Sequence, residues 1–396
     1  MTASPLAFHW FLPTYGDSRF IVGGGHGQPA GVAAGDRRAT IGYLSSIVHA
    51  AEEFGFTGAL TPAGAWCEDA WLTTAMLARE TERLAFLIAF RPGLVSPTLA
   101  AQMAATFSAH APGRLLLNVV TGGEAHEQRA YGDHLSKEER YERCEEFLSI
   151  VRRLWAGEQV SHRGTHLHVE DAALPRLPDP VPPLYFGGSS SAAGPVAARH
   201  CDVYLTWGEP PAAVAEKIAW MRALAAAEGR SLRFGIRLHV ITRDSADQAW
   251  QQAQSLLDAL GPDLVRQAQQ GLARSESTGQ ARMRELHEDL RSTGGWRQAH
   301  ALEVSPNLWS GVGLVRGGAG TALVGSHQEV ADRIAEYAAL GIEEFILSGY
   351  PHLEELFWFG EGVLPELTRR GLFQGTGAPA TAPAHTPFLP AAVPAP

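Results

Sequence analysis

Two hydrophobic periods alternate along the chain. Short apolar runs, which predict strands, occupy 7–12, 57–60, 84–90, 114–120, 184–186, 202–206, 233–242 and 344–348. Between them lie segments with apolar residues at helical spacing, such as 41–54, which stops at Gly55. Strands that alternate with helices predict a parallel sheet, and eight of them predict an α/β fold of the (β/α)8 TIM-barrel type.

A doubly wound sheet is the competing architecture. It is disfavoured because the segment after the first strand has no GxGxxG followed directly by a helix. We therefore expect one barrel over 1–372, with insertions near 22–38, 160–182 and 261–326, the last of them irregular or helical. The Pro/Ala-rich stretch 373–396 is expected to be a disordered tail.

The composition narrows the choice of partners. The 396 residues carry 42 acidic and 32 basic side chains, a net charge of −10, which gives no general attraction to nucleic acid or anionic membranes. Cys67, Cys144 and Cys201 are widely spaced without a metal-ligand or disulfide pattern, so no metal site is expected. Neither a signal sequence nor the ~20 apolar residues of a membrane helix can be found. These features predict a soluble protein of the cytoplasm.

The strand at 233–242 carries unexpected polar residues. Its period of two puts Arg237, His239 and Ile241 on one face and apolar residues on the other. A buried guanidinium should meet an anion, a carboxylate or a water-filled pocket. An edge strand with a solvated face explains the pattern equally well when the strand is taken alone.

Other strand ends add candidate groups, because the C-terminal ends of barrel strands surround the site. After 184–186, the glycines and serines of 187–191 resemble a phosphate cradle at a helix N-terminus, or simply a serine helix cap. Asn118 and Thr121 precede paired glycines, which a plain turn also explains. Four candidates remain. Trp207 offers a large flat ring, and Arg316 lies in a glycine-rich loop. Tyr350 adds a phenol and His352 an imidazole.

If the barrel brings these residues together, they form an anion pocket with proton-transfer groups. Its members would be Arg237, His239, Arg316, Tyr350 and His352. Cys67 lies near a predicted helix N-terminus, which can lower a thiol pKa, but a buried unreactive cysteine is the favoured interpretation.

Long segments of the chain resemble the flavin-dependent alkanesulfonate monooxygenases, which belong to the bacterial-luciferase-like superfamily of barrels. The similarity covers roughly residues 8 to 370 and is carried by Trp10-Phe-Leu-Pro-Thr14, Cys67-Glu-Asp-Ala-Trp71, Asn118-Val-Val-Thr-Gly122, Leu184-Tyr-Phe-Gly-Gly-Ser-Ser190, 205–211, 233–240, 305–309, 311–325 and Leu347-Ser-Gly-Tyr-Pro-His-Leu-Glu-Glu355. Blocks of this length are more specific than a single short motif.

The resemblance implies a two-component enzyme. A separate NAD(P)H-dependent FMN reductase would supply FMNH2, and this chain would use it with O2 to convert an alkanesulfonate to an aldehyde and sulfite. The implied FMN site has Gly188, Ser189, Ser190 and Tyr141 at the phosphate, with Asn118, Thr121 and Cys67 near the ring system. The implied sulfonate pocket is Trp207, Arg237, His239, Arg316 and Tyr350, the last four catalytic. A homo-oligomer, dimer or tetramer, is also expected.

The chain departs from that family at the predicted pocket. Tyr15 stands where the family has His, and Thr61-Pro-Ala-Gly-Ala-Trp66 replaces a segment with an arginine before the cysteine. Additional residues occur at about 22–38 and 291–301. Two alternatives therefore stay open: a monooxygenase of another organosulfur compound such as a sulfone, and a flavin-binding protein without turnover.

Overall fold

The strands form a closed barrel in the computed structural model, which describes residues 5–23, 35–293 and 295–375. In chain order they are β1 (Ala7–Phe11), β2 (Gly58–Thr61), β3 (Ala85–Phe90), β4 (Leu115–Val119), β5 (Val160–Arg163), β6 (His168–Ala172), β7 (Leu184–Phe186), β8 (Val203–Trp207), β9 (Arg233–Arg243), β10 (Glu303–Ser305), β11 (Leu308–Trp309), β12 (Ala322–Ser326) and β13 (Glu344–Ser348). The barrel closes through parallel pairs in the order β1, β2, β3, β4, β7, β8, β9, β13 and back to β1.

Helices follow the barrel strands. They are α1 (Ile41–Glu53), α2 (Ala70–Leu77), α3 (Pro97–His110), α4 (Ala125–Ala130), α5 (Lys137–Trp155), α6 (Ala193–His200), α7 (Pro211–Ala227), α8 (Ala246–Asp258), α9 (Pro262–Leu272), α10 (Thr278–Glu285), α11 (Glu288–Thr293), α12 (His327–Leu340), α13 (His352–Trp358) and α14 (Leu364–Arg369). Capping boxes at Ser136 and Ser326 fix the starts of α5 and α12. A π-helical turn, Phe359–Val363, divides the last predicted helix into α13 and α14.

The predicted (β/α)8 barrel is confirmed. Its eight strands are the eight apolar runs of the sequence, each found within one residue of its expected ends. β9 pairs with β8 on one edge and β13 on the other, so it is not an edge strand with a solvated face.

The two faces of the strands build two cores. Ile236, Leu238 and Val240 pack outward against the helices, together with Phe8 and Trp10 of β1. The alternate residues, such as Leu60, Leu205 and Ile241, belong to a second core that includes the barrel interior. Arg237 and His239 share the interior face, as their spacing predicts.

The prediction for 261–326 is wrong in its last third, where three short strands occur. β10, β11 and β12 extend the sheet beyond the barrel. β8 and β12 pair with the same edge of β9, one after the other. The change of partner falls between Arg237, whose O accepts from Gly208 N (3.0 Å), and His239, whose N donates to Thr321 O (2.8 Å). β10 and β11 are Glu-Val-Ser and Leu-Trp, which do not form apolar runs, so the sequence gives no strand signal there. The extension carries the loop 313–319 across the C-terminal end of the barrel.

The other predicted additions are described in part. The insertion at 160–182 contains the antiparallel hairpin of β5 and β6. Residues 24–34 of the expected 22–38 insertion, and 376–396 of the expected tail, lie outside the described residues. Within the described ranges, no helix is long and apolar enough to cross a membrane.

A polar cluster closes the interior of the barrel near the N-terminal ends of its strands. The carboxylate of Glu344, which is 2% exposed, accepts hydrogen bonds from His9 Nε2 (3.1 Å), the Tyr185 hydroxyl (2.9 Å) and Arg233. The charge is thereby satisfied without water.

Candidate active site

A cavity lies at the C-terminal ends of the strands, and the strand order divides its lining into two sides. The glycine–serine side follows β4, β7 and β8 and consists of Asn118–Gly123, Lys137, Tyr141, Phe186–Ser190, Trp207 and Ser277–Gly279. The arginine side follows β9, β13, β1 and β2 and includes Phe11, Leu60, Pro62, Ala63, Trp66, Arg237, Arg316–Ala319 and Ile346. Of the predicted substrate residues, Arg237 and Arg316 lie on the arginine side, whereas Trp207 lies on the glycine–serine side with most of the predicted cofactor residues.

The glycine–serine side collects six of the seven predicted cofactor residues: Asn118, Thr121, Tyr141, Gly188, Ser189 and Ser190. A Cβ atom on Gly188 would lie 2.5 Å from the Ala193 side chain, so only glycine lets the backbone pass here. Ser190 Oγ accepts from Ala193 N (3.3 Å) at the start of α6. Hydroxyls and backbone N–H groups at a helix N-terminus suit a phosphate.

Lys137 is a lining residue that the sequence reasoning missed. It lies one helical turn before Tyr141 on α5, and its Nζ donates to Glu276 O (2.8 Å). The i, i+4 spacing to Tyr141 was the available signal. Lys137 lines the same cavity as the serines, and the donors on this side fit a phosphate-bearing flavin such as FMN.

Arg237 anchors the arginine side. Its Nη2 donates to Ser348 Oγ (2.8 Å), and Nη1 donates to the backbone oxygens of Leu238 and Ile346. Burial, and then the charge of Arg316, lower the pKa of Arg237 to about 9, which leaves it charged at neutral pH. Backbone and hydroxyl contacts therefore fix the position of a charge that they do not neutralise.

His239 completes a relay with Ser348. Ser348 Oγ lies 2.7 Å from His239 Nδ1, and Ala319 O lies 3.1 Å from Nε2. Because a carbonyl only accepts, Nε2 carries the proton, and Nδ1 accepts from the Ser348 hydroxyl. Burial, and then the charge of Arg237, hold the pKa of His239 well below its usual value. His239 is therefore a neutral group that orients Ser348 and, through it, Arg237.

Arg316 lies in the loop 313–319 and is only 4% exposed. Gln269 of α9 donates to Gly313 O (2.9 Å) and Leu314 O (2.8 Å), and Gln280 of α10 accepts from Gly318 N (2.9 Å). These hydrogen bonds hold the glycine-rich loop in place at the cavity. Arg316 Nη1 is buried and has no hydrogen-bond partner among the described residues.

Tyr350 and His352 stand behind the arginines. The Tyr350 ring stacks on His239 at 5.5 Å, and burial raises the pKa of Tyr350, which keeps the phenol protonated. His352 Nδ1 lies 2.9 Å from Asp17 Oδ1. Because a carboxylate only accepts, Nδ1 carries the proton. The buried Nε2 is then an acceptor, and it has no hydrogen-bond partner among the described residues. Burial lowers the pKa of His352. The sequence reasoning gave no role to Asp17, which is 335 residues away.

Cys67 is set apart from the other predicted cofactor residues, because it does not line the cavity. Its Sγ lies 3.4 Å from Gly64 O and 3.6 Å from Pro62 O. Burial raises the pKa of Cys67 to about 12, so the group is a thiol at neutral pH. His239, Tyr350 and His352 also lie outside the lining. His239 is connected to it through Ser348 and Arg237.

Arg237 and Arg316 are buried near each other with no carboxylate partner among the described residues. The guanidinium carbon of Arg237 lies 4.6 Å from the centre of the Phe11 ring, and that of Arg316 lies 5.6 Å from it. Two buried cations without a counter-ion are costly unless an anion joins them. The fold and the site define a (β/α)8 barrel with one cavity that suits a phosphate-bearing cofactor on one side and an anion on the other.

Residues 8–344 match the model of the luciferase-like monooxygenase family, and the chain belongs to that family. Solved structures with the same fold include riboflavin lyase RcaE with modified FMN and riboflavin (TM-score 0.77, 21% identity, 94% of this chain and 93% of that one). DmoA from Hyphomicrobium sulfonivorans has a TM-score of 0.74 and 20% identity, and the match covers 95% of this chain and 91% of that one. The long-chain alkane monooxygenase LadA has a TM-score of 0.70 and 19% identity, and the match covers 94% of this chain and 93% of that one. The luciferase-like assignment is confirmed; at these identities the structures show the shared fold.

Proposed function

We propose that this protein is the oxygenase of a two-component system that uses FMNH2 and O2 to convert an alkanesulfonate to an aldehyde and sulfite. A separate NAD(P)H-dependent reductase would supply the reduced flavin, and the oxygenase would act as a homo-oligomer in the cytoplasm. The presence of FMN in the structure of riboflavin lyase supports the choice of cofactor.

The observation that carries the proposal is the pair of uncompensated arginines. A sulfonate brings one negative charge and three acceptor oxygens to Arg237 and Arg316, and guanidinium N–H groups match such oxyanions. A neutral sulfone would leave both charges without a counter-ion. The charge balance therefore favours a sulfonate over a sulfone.

The two sides of the cavity would have different roles. Ser189, Ser190, Tyr141 and Lys137 would hold the FMN phosphate, and bound reduced FMN supplies the electrons and the activation of O2. Arg237, oriented by Ser348 and His239, and Arg316, held by its packed loop, would bind the sulfonate and exclude water.

The test is sulfite release from alkanesulfonates of increasing length, with chemically reduced FMN and O2. We expect sulfite in proportion to the aldehyde formed. Arg316→Gln should weaken substrate binding about 10- to 100-fold, since it removes charge-assisted hydrogen bonds. Arg163→Gln is the matched control, because Arg163 is 80% exposed, and it should leave the reaction unchanged.

Two results would contradict the proposal in different ways. Oxidation of dimethyl sulfone without any release of sulfite from sulfonates would point to the neutral substrate. Tight binding of reduced FMN without any oxidised product would point to a flavin-binding protein that has no turnover.

A further inference from the structure

A buried ion pair lies outside the lining of the cavity. It joins Glu127 of α4 to Arg91, which directly follows β3, and each residue is 5% exposed. Glu127 Oε2 accepts from Arg91 Nη2 (2.6 Å). Nε and Nη1 of Arg91 are buried and have no hydrogen-bond partner among the described residues, so Glu127 is the acceptor that holds this guanidinium. The sequence reasoning gave neither residue a role.

The second oxygen of Glu127 holds a wall of the cavity. Oε1 accepts from Ala65 N (2.7 Å), in the middle of the segment 62–67, which we call the Trp66 loop. Three residues of this loop line the arginine side of the cavity: Pro62, Ala63 and Trp66. One carboxylate therefore connects a buried cation to a backbone N–H in the wall.

The position of the Trp66 ring depends on the backbone of its own loop. A Cβ atom on Gly64 would lie 2.2 Å from Trp66 Nε1, so the indole packs directly on the residue before Ala65. The same ring has its centre 5.9 Å from the guanidinium carbon of Arg316. A displacement of the loop at Ala65 would therefore move a ring that lies beside Arg316.

We propose that Glu127 is a positioning residue: through Ala65 it fixes the Trp66 loop, and with it the wall next to the anion site of Arg316. Arg91 supplies the counter-charge that lets this carboxylate be buried. The identity of the anion rests on the proposed function, whereas the position of the loop does not depend on it.

Glu127→Gln separates the two bonds. The amide keeps one acceptor oxygen, for which Arg91 and Ala65 N then compete. A buried cation without an acceptor costs more than a buried backbone N–H, so the oxygen should turn to Arg91 and leave Ala65 without its partner. Adding Arg91→Met removes the competitor, and the oxygen can return to Ala65. Because a buried ion pair can be replaced by neutral side chains at little cost, the double variant should fold.

Two measurements follow the loop and the anion separately. In protein labelled with fluorotryptophan, the fluorine resonance of Trp66 is assigned from Trp66→Phe. This resonance should shift or broaden in Glu127→Gln and return toward its original position in the double variant. Calorimetry without O2, on protein loaded with photoreduced FMN, should show ethanesulfonate binding weakened about 5- to 10-fold in Glu127→Gln and largely restored in the double variant. The affinity for reduced FMN should change by less than about twofold, because the Trp66 loop lies on the arginine side.

Glu344→Gln is the matched control. It removes the charge of another buried carboxylate, near the N-terminal ends of the strands, so it separates a loss of stability from a change at the cavity. The Trp66 resonance and both affinities should match those of the wild type.

Four results would overturn the inference. They are an unmoved Trp66 resonance in Glu127→Gln, wild-type affinity of that variant for ethanesulfonate, an equal loss of affinity for reduced FMN, and a double variant that is no better than the single one. A wild type that binds no ethanesulfonate would contradict the proposed function instead, and the fluorine resonance would still decide whether Glu127 fixes the loop.

Discussion

Glu344→Gln should destabilise the barrel without altering its cavity. The substitution keeps the size of the side chain but replaces one acceptor oxygen with an N–H donor, in a place where His9, Tyr185 and Arg233 all donate. Arg233 is 47% exposed and can turn to water, whereas His9 and Tyr185 are buried. Both bond to the same oxygen, Oε2, so the amide oxygen of glutamine can keep both of them while its NH2 group turns to Arg233, and these two buried bonds then lose their charged acceptor.

The magnitude follows from those two bonds. A hydrogen bond to a charged group contributes about 1.5 to 3 kcal/mol and a neutral one about 0.5 to 1.5 kcal/mol, so each bond loses about 1 kcal/mol. We therefore expect the free energy of unfolding to fall by about 2 kcal/mol at pH 7. The estimate omits the Arg233 pair, because solvent screens a half-exposed cation.

The pH dependence gives an independent check. Burial alone would raise the pKa of Glu344, but the hydrogen bond from His9 and the charge of Arg233 hold it below its usual value. A carboxyl with a lowered folded pKa stabilises the fold above its unfolded pKa and loses that effect as the pH falls through the folded pKa. The difference between the wild type and Glu344→Gln should thus be largest near neutral pH and shrink below about pH 4.

Urea denaturation at several pH values measures both quantities. The exposed neighbour Glu343 supplies the matched control, because Glu343→Gln changes the same chemistry outside the barrel and should shift stability by less than about 0.5 kcal/mol. Equal stability of Glu344→Gln and the wild type, or a difference that grows on acidification, would refute the reasoning. Calorimetric affinity for ethanesulfonate should be unchanged.

Three further outcomes are expected. Ser348→Ala should weaken sulfonate binding about 10-fold, because Arg237 loses its 2.8 Å contact and His239 its proton donor, as calorimetry can show. Cys67→Ser should change the rate of sulfite release by less than about twofold, because the thiol is protonated at neutral pH and does not line the cavity. A large fall in that rate would show that Cys67 contacts the substrate or the cofactor. Leu72→Asp should shift the protein to a smaller species in light scattering, since α2 exposes Leu72 and Met76 at 65% and 54%, and a monomeric wild type would contradict this.

The barrel was predictable from sequence because its signal is local. Each barrel strand is an apolar run between turn residues, and β9 shows the period of two that puts Arg237 and His239 inside. β10 and β11 gave no such signal because Glu-Val-Ser and Leu-Trp are not apolar runs of the kind that β7, with Leu-Tyr-Phe, provides. Their place is set by pairing with β12 and not by a pattern of their own.

The contacts of the site were not predictable, because they join distant parts of the chain. Ser348 and His239 are 109 residues apart, and Asp17 and His352 are 335 apart. A sequence shows that these polar residues follow strands, but it does not show which atoms face one another. Lys137 was missed for another reason: a lysine in the first turn of a charged helix is ordinary until the fold turns it toward the cavity.

Tyr15 and Trp66 show how the structure changes the meaning of a substitution. From the sequence alone, Tyr15 marks the loss of the imidazole that the resembled family has at this position. Trp66 belongs to a segment that replaces one with an arginine. In the fold they place two rings against Arg316. Burial keeps the pKa of Tyr15 well above its usual value, so its hydroxyl stays a donor at any pH at which the protein works. The site therefore keeps two buried cations that suit an anion, while the side chains beside Arg316 differ from those of the family that the sequence resembles.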